Sequence, residues 1–320
     1  MKIDLPPLRF RPVLKQTIWG GRRLGESLGK PIGDGSDYAE SWEVVDHGDD
    51  QSVVDGGPHD GMTLSALLSQ YRQQLIGPGG LEQRFPLLLK YLDCNRVLSV
   101  QVHPDDSYAG QMDSPDLGKT EAWYIVESTD DAVIYAGLRE GVDRESLGAA
   151  IEAGQTEQVL HQFHPSAGDV VFIPAGTVHA LGGGLLVAEI QQSSDTTFRL
   201  FDWNRTDADG NARPLHLQQG LDVTDYDRGP IEPTRADETA DGVQTLVQCD
   251  KFTLSAIHNG TAAVGDHDRF EILTVPKGSA TITVGEDQQT LRTGETILWP
   301  AACEPGKVDV HDSGVVLLMR

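Results

Sequence analysis

The sequence predicts a mainly β protein made of two antiparallel β-barrels, with a few short helices added to the sheets. Glycine and proline are frequent, with 35 and 17 residues in a chain of 320, and they separate short segments rich in valine, isoleucine, leucine and threonine. Segments of this composition, bounded by turn residues, are typical of antiparallel sheets. A seven-residue pattern also occurs twice, and an internal repeat of this kind predicts two similar β-units.

The predicted strands have ordinary strand length and are mostly apolar. They are Leu98 to Val102, Trp123 to Val126, Val133 to Ala136, Val170 to Ile173, Leu186 to Ile190, Ala280 to Val284 and Val315 to Met319.

A helical pattern occurs in two places. Between Leu64 and Leu75, apolar residues recur at the spacing of one helix face, and Thr63 precedes them as a capping residue. A second helical pattern runs from Arg144 to Phe163. We expect both helices to lie on the outside of the sheets.

The charge balance excludes several kinds of partner. With 25 basic and 49 acidic residues, the net charge is −24, which repels nucleic acids and anionic membrane surfaces. No apolar run approaches the ~20 residues that span a bilayer, and no secretory signal pattern opens the sequence, so we expect a cytoplasmic protein. The three cysteines lack the spacing of a disulfide framework or a thiolate zinc site. A phosphorylated substrate would need lysine or arginine side chains at its own site.

The first copy of the repeated pattern, residues 168–174, continues into a candidate metal site. A turn containing Gly176 leads from Pro174 to His179 on the next strand. The glycine permits a positive φ and the proline stiffens the approach, which would hold the histidine in place before a metal binds. This pattern resembles the second motif of the cupin (jelly-roll) barrel. In the second copy Pro305 stands at the offset of His179, and we expect that barrel to bind no metal.

Two earlier strands offer further ligands for the same site. Alternation along a strand places Gln101 and His103 on one face, and it does the same for Lys119 and Glu121. Together with His179, these residues supply one amide oxygen, two imidazoles and one carboxylate. Such a set suits one Zn²⁺ ion and leaves a coordination position for water or substrate.

The acidic, proline-containing stretch from Asp225 to Asp241 predicts a linker between the two units. We therefore place a catalytic, metal-binding cupin domain with helical decorations in residues 1–230. A degenerate, metal-free cupin-like domain would occupy residues 231–320.

Four blocks of sequence carry a more specific resemblance. They read LSVQVHPDD at residues 98–106, GKTEAWYI at 118–125, GDVVFIPAGTVHAL at 168–181 and EIQQSSDTTFRLFDWNR at 189–205. Together they resemble the type I mannose-6-phosphate isomerase family in its short bacterial form. One position departs from the pattern, because larger members carry an aromatic residue where this chain has Leu181, followed by three glycines that we expect to form a flexible pocket wall.

The resemblance assigns roles to individual residues. The implied zinc ligands are Gln101, His103, Glu121 and His179. The implied catalytic residues are Arg199 and Lys119, which would stabilise developing charge and contact the phosphate or an oxyanion. Glu189 and Asp195 resemble acidic pocket positions that could orient a ligand or a sugar hydroxyl.

The resemblance also implies a reaction. Mannose 6-phosphate and fructose 6-phosphate would be interconverted through an enediol, with a proton moving between C2 and C1. A Lewis acid beside the sugar oxygens would stabilise the charge that grows as the C–H bond breaks. Arg199 and Lys119 would supply the local cations that a phosphorylated hexose requires in an acidic protein.

Other interpretations of these residues stay open. His103 alone could be a structural histidine, Glu121 could simply pair with Lys119, and Arg199 could pair with Asp195 or Asp202. At the level of function, an iron-dependent cupin oxygenase would use a similar ligand set. A non-catalytic sugar-binding protein would also fit the degenerate second barrel.

Overall fold

The computed structural model describes residues 5–78, 83–206, 210–239, 241–265 and 268–320. Within these ranges the chain is mainly β with a few short helices, and no helix there is both long and apolar enough to cross a bilayer. The α-helices are α1 (Arg23–Glu26), α2 (Leu64–Ile76), α3 (Asp106–Ala109), α4 (Arg144–Glu152) and α5 (Leu217–Val223), and 3-10 helices occur at Gly57–His59 and Thr156–Val159.

The strands of the described residues divide between two units. Those of the first unit are β1 (Phe10–Arg11), β2 (Val13–Gly21), β3 (Tyr38–Val44), β4 (Asp46–His47), β5 (Asp50–Gln51), β6 (Val53–Val54), β7 (Leu87–Cys94), β8 (Val100–Val102), β9 (Glu121–Ser128), β10 (Ile134–Leu138), β11 (Leu160–Phe163), β12 (Asp169–Ile173), β13 (His179–Leu181), β14 (Leu185–Gln192), β15 (Phe198–Phe201) and β16 (Thr234–Arg235). Those of the second unit are β17 (Val243–Gln248), β18 (Thr253–Ile257), β19 (Thr261–Val264), β20 (Glu271–Val284), β21 (Asp287–Arg292), β22 (Thr296–Trp299) and β23 (Gly306–Met319).

The first unit is a jelly roll of two facing antiparallel sheets. One sheet has the order β11-β10-β13-β8-β15, and the other has the order β16-β12-β9-β14-β7-β3-β2. Apolar side chains of both sheets, such as Trp123 on β9 and Ile134 on β10, form one core between them. The sheets face each other without closing into a single hydrogen-bonded ring.

The seven-stranded sheet of this unit is covered on both faces. Every residue of β7 and β14 is buried, because one face meets the other sheet and the opposite face packs on the second unit. Tyr91 and Ala188 on the outer face share a core with Phe252, Ile272 and Leu317 of the second unit. Burial on both faces explains why these two strands consist largely of apolar residues instead of alternating with polar ones.

The internal repeat is structural as well as sequential. In the first copy Ile173 lies opposite Glu121, and in the second copy Trp299 lies opposite Glu271. Both copies begin at a glycine with positive φ. The second unit surrounds an apolar core of its own, and the predicted pair of β-units is thus confirmed.

Two elements differ from the sequence-based expectation. The helix predicted from Arg144 to Phe163 ends at Glu152, because Gly154 takes a positive φ of 67°, and residues 160–163 instead form β11, which pairs with β10. Within the predicted linker, β16 pairs with β12 of the first unit, while residue 240 lies outside the described residues. The division of the chain at residues 230 and 231 stays a prediction.

The predicted capped helix is present. The hydroxyl of Thr63 accepts a hydrogen bond from the backbone N–H of Ala66 at 3.1 Å, and α2 begins at Leu64. This arrangement satisfies one of the free N–H groups at the start of the helix.

Replacing Gly294 by alanine is expected to destabilise the protein more than replacing Gly260. Both glycines have a positive φ, 84° and 69°, which costs an alanine about 1–2 kcal/mol. A Cβ at 294 would also lie 2.1 Å from the carbonyl oxygen of Leu28, whereas no described atom lies within 4 Å of a Cβ at 260. Urea unfolding followed by circular dichroism measures the two midpoints, and equal losses would contradict this account.

Candidate active site

Three predicted ligands converge between the two sheets of the first unit. His103 follows the end of β8, Glu121 begins β9 and His179 begins β13, and their ligand atoms all lie within 4.8 Å of one another. Nε2 of His103 is 3.5 Å from one oxygen of Glu121, and Nε2 of His179 is 3.3 Å from the other. All three side chains are at most 2% exposed.

The turn before His179 fastens the three segments to each other. Gly176, with a φ of 87°, donates its N–H to the carbonyl oxygen of His103 at 2.8 Å. The N–H of Ala175 is donated to the hydroxyl of Thr120 at 3.2 Å, next to Glu121. The backbone of Ala175 and Gly176 therefore joins this turn to the segments that carry His103 and Glu121.

The hydrogen bonds of the histidines decide which nitrogen faces the cluster. Nδ1 of His103 lies 3.0 Å from the carbonyl oxygen of Thr196, and Nδ1 of His179 lies 2.9 Å from that of Thr177. A carbonyl oxygen can only accept, so each Nδ1 carries the proton and each Nε2 presents a lone pair. Neither Nε2, nor either oxygen of Glu121, has a hydrogen-bond partner among the described residues.

This donor set fits a divalent metal ion. Two imidazole lone pairs and a carboxylate repel one another at these distances, and unpartnered buried polar atoms are costly. A cation between them would convert that repulsion into coordination by ligands that Zn²⁺ commonly takes.

Burial sets the protonation of the metal-free cluster. It lowers the pKa of His103 well below the usual value and that of His179 to about 4, so both rings are neutral at pH 7. Burial and the neighbouring charge of Glu189 raise the pKa of Glu121 to about 8. Without a metal, one proton is therefore retained on the carboxyl group near neutral pH.

Gln101 and Arg199 stand in one row with His179. Gln101 on β8 is the direct cross-strand partner of His179 on β13 and, on its other side, of Arg199 on β15. Directly paired residues project from the same face of a sheet. Both Gln101 and Arg199 line a cavity of about 350 Å³.

Lys119 lies next to the cluster and also faces this cavity. The residue precedes β9 and is 4% exposed, and its Nζ is 3.6 Å from Glu121. It also lines the cavity. Lys119 therefore reaches the cluster as the sequence predicted, although it precedes β9 instead of belonging to it.

The guanidinium of Arg199 is not paired with a carboxylate among the described residues. One of its terminal nitrogens donates to the carbonyl oxygen of Pro214 at 3.0 Å, and its buried Nε has no described partner. Asp202 instead binds Arg205 and Arg213. Burial and the charge of Arg213, which also lines the cavity, lower the pKa of Arg199. Two clustered cations at a cavity wall favour an anionic ligand.

The two acidic candidates, Glu189 and Asp195, occupy different parts of the cavity. Glu189 is buried in its floor, where it accepts from the indole N–H of Trp123 at 3.0 Å and pairs with Lys90 at 3.0 Å. Burial alone would raise the pKa of Glu189, but Lys90 and Lys119 hold it below the usual value. Asp195 lies exposed at the cavity wall.

Lys90 is a cavity residue that the sequence analysis missed. Lys90 is 6% exposed on β7, and its Nζ lies 3.4 Å from a carboxylate oxygen of Glu40 and 3.0 Å from one of Glu189. The signal was a single lysine among the apolar residues 87–92, since such a charge is buried only when it is paired. The indole of Trp123 also packs edge-on against the ring of His179, with the ring centroids 5.3 Å apart.

The glycines after Leu181 serve a different purpose from the one expected. Leu181 lines the cavity, but a Cβ at Gly182 would lie 2.2 Å from the carbonyl oxygen of Val133 and one at Gly184 would lie 2.1 Å from the hydroxyl of Thr129. Gly182 and Gly184 are required because they pack closely against the turn between β9 and β10.

A larger cavity, of about 790 Å³, lies on the second unit. Its wall includes Glu286, Asp287 and Glu304 together with the apolar residue Leu5. Carboxylates of this kind repel an anionic ligand. The smaller cavity is lined by four cations, Lys90, Lys119, Arg199 and Arg213, against three carboxylates, Glu40, Glu189 and Asp195, whereas no lysine or arginine is among the described residues that line the larger one. The smaller cavity is therefore the better candidate for an anionic substrate.

The chain is similar in sequence to known proteins. Residues 8–124 match the sequence model of the family described as "Phosphomannose isomerase type I, catalytic domain". The chain is 38% identical over 314 residues to mannose-6-phosphate isomerase ManA of Bacillus subtilis (strain 168), an alignment that covers 97% of this chain and 98% of the relative. It is 36% identical over 306 residues to mannose-6-phosphate isomerase of Streptococcus mutans, which covers 95% of each.

The fold agrees as well. The crystal structure of the mannose 6-phosphate isomerase from Bacillus subtilis superposes with a TM-score of 0.89 at 32% sequence identity, covering 99% of this chain and 100% of that one. Similarity of this extent in both sequence and fold shows that the chain belongs to the type I phosphomannose isomerase family.

Proposed function

We propose that this chain is a zinc-dependent aldose-ketose isomerase that interconverts mannose 6-phosphate and fructose 6-phosphate through an enediol. The observation that carries the proposal is the unpartnered cluster of His103, Glu121 and His179 beside a cavity lined with cations. Family membership supports the same reaction. The cytoplasmic location expected from the sequence stays a prediction.

The metal ligands would be His103, Glu121, His179 and Gln101. When bound, Zn²⁺ would supply Lewis acidity to the oxygens of the sugar. The protein prepares this site in advance, because the carbonyl oxygens of Thr196 and Thr177 fix the direction of both Nε2 lone pairs.

The cations of the cavity would bind different parts of the substrate. Lys119, 3.6 Å from Glu121, lies where an oxyanion would develop next to the metal. Arg199, which has no carboxylate partner among the described residues, lines the same cavity, and its planar guanidinium group suits the oxygens of a phosphate. The cavity of about 350 Å³ falls in the size range of small-molecule sites.

Lys90 and Glu189 would form a fixed polar floor. Their contact at 3.0 Å, extended by the hydrogen bond from Trp123, leaves neither charge unpaired. Fixed dipoles and charges of this kind stabilise developing charge without having to reorganise during the reaction.

The purified protein is expected to contain about one zinc ion per chain, because the described residues form one such cluster and the proposed ligand set would leave a position for substrate. A coupled assay with several hexose 6-phosphates, run with and without a chelator, should show isomerisation of mannose 6-phosphate that the chelator abolishes. Fully metallated protein without isomerase activity would contradict the proposal. Metal-dependent consumption of oxygen would favour the oxygenase alternative instead.

Substitutions are expected to separate metal binding from catalysis. His179→Ala removes one of two imidazole ligands and should release the metal, whereas Arg199→Ala should retain it and lose turnover by about 100-fold, as expected for a charge-stabilising group. Metal content is measured by mass spectrometry and turnover by the coupled assay. Loss of metal from Arg199→Ala would show that the roles are wrongly divided.

Metal binding is expected to release protons in a pH-dependent way. The raised pKa of Glu121 means that its carboxyl group is protonated near pH 7 in the metal-free protein, while the lowered pKa of His179 leaves that ring neutral. Zinc should therefore displace close to one proton at pH 7, and the number should fall toward zero as the pH rises through about 8.

Calorimetric titration in buffers of different ionisation enthalpy measures this number. Glu121→Gln, which has no proton to release at this position, is the control. Release that grows with pH would contradict the assignment and would point to ionisation of a water molecule.

A further inference from the structure

A partly buried carboxylate outside the cavity joins two segments of the site. The side chain of Asp116 is 11% exposed and lies in the loop that leads to Lys119 and Glu121. One of its oxygens accepts the hydroxyl hydrogens of Ser194 and Thr196, both at 2.8 Å. These two residues belong to the loop between β14 and β15.

The other oxygen of Asp116 completes the network. It accepts the N–H of Leu117 at 2.8 Å and a hydrogen bond from the guanidinium of Arg84. Nε2 of His47 lies 3.6 Å from the first oxygen. With donors from three other segments of the chain, the carboxylate has little freedom to move.

Thr196 connects this network to the metal cluster. Its hydroxyl is held by Asp116, and its carbonyl oxygen accepts the Nδ1 proton of His103 at 3.0 Å. The position of Thr196 therefore sets the direction in which Nε2 of His103 points. On the other side, the backbone N–H of Asp116 donates to the carbonyl oxygen of Ala109 at 3.2 Å, which fastens the loop that precedes Glu121.

The charge of Asp116 is secured by its partners. Burial alone would raise the pKa of this carboxyl group, but the nearby His47 and the hydrogen bonds from Arg84, Ser194 and Thr196 hold it well below the usual range. An ionised carboxylate that accepts several hydrogen bonds is a stronger anchor than a neutral amide of the same shape.

We propose that Asp116 is a positioning residue of the metal centre, which acts through Thr196 to orient His103. This inference rests on the proposed zinc site. It assigns no contact between Asp116 and either metal or substrate. Groups hydrogen-bonded directly to a metal-bound histidine typically contribute about 10–100-fold to metal affinity, and Asp116, which acts through Thr196, is expected to contribute at the lower end of that range.

The test is zinc affinity, measured on the full chain by competition with a chromophoric chelator. Asp116→Asn keeps the shape of the side chain but replaces one acceptor oxygen by an N–H₂ group, so we expect zinc to bind about 10-fold more weakly, the lower end of the range for direct partners of a ligating histidine. Asp93→Asn is the matched control. Asp93 is fully buried and accepts hydrogen bonds from the backbone N–H and Nε of Arg23 at 2.7 and 2.9 Å.

The control separates positioning from a general loss of stability. Thermal unfolding of the metal-free protein should show that both variants are destabilised, because each loses a buried charged hydrogen-bonding partner. Zinc affinity should fall in Asp116→Asn and stay at the wild-type value in Asp93→Asn. An equal loss of affinity in both variants, or no loss in Asp116→Asn, would overturn the inference.

A second variant covers the case in which Asp116→Asn does not fold. Thr196→Val removes the hydroxyl that Asp116 holds but keeps the carbonyl group that His103 contacts, so its zinc affinity should also fall. In the double variant, Asp116→Asn with Thr196→Val, the losses of zinc-binding free energy should be less than additive, since both changes break the same hydrogen bond. Unchanged affinity in Thr196→Val, or fully additive losses, would overturn the inference.

The same experiment distinguishes two kinds of failure. A wild-type chain that binds no zinc would contradict the proposed function and this inference together. A wild-type chain that binds zinc and isomerises its substrate, with unchanged affinity in both variants, would leave the proposed function standing and remove only the role of Asp116.

Discussion

The site depends on one constraint, the buried carboxylate of Glu121 facing two imidazole lone pairs. These groups lie 3.3 and 3.5 Å apart, and neither oxygen of Glu121 has a hydrogen-bond partner among the described residues. Such an arrangement is costly in a protein interior unless a proton or a cation joins it. The carbonyl oxygens of Thr196 and Thr177 fix the orientation of the two imidazoles. The fold therefore keeps both Nε2 lone pairs directed at the carboxyl group of Glu121.

The second unit contributes to this constraint from a distance. It covers the outer face of the seven-stranded sheet, where Tyr91 meets the hydroxyl of Thr274 at 2.6 Å inside a shared apolar core. The inner face of the same sheet carries Glu121, Glu189 and Lys90. With water excluded from the outer face, the strands behind the cluster are packed on both sides, which limits their movement. Fixed charges in such surroundings act more strongly than they would in water.

Local sequence patterns predicted the parts of this structure that depend on interactions between residues close together in the sequence. The strands, the helix capped by Thr63 and the turn that delivers His179 follow from periodicity and from glycine and proline geometry. The helix expected up to Phe163 was wrong because pairing with β10 prevails there over helical spacing. Lys90 was missed because its partners, Glu40 and Glu189, are brought to it by long-range strand pairing that a single strand does not reveal.

The central claim is that His103, Glu121 and His179 hold one zinc ion at the end of a cation-lined cavity. The most direct measurement is anomalous diffraction at the zinc absorption edge from crystals of the zinc-loaded protein. The account predicts a single strong peak per chain, about 2.0–2.2 Å from Nε2 of both histidines and from an oxygen of Glu121. A peak at another place, or no peak while Glu121 remains paired with Lys119, would contradict it.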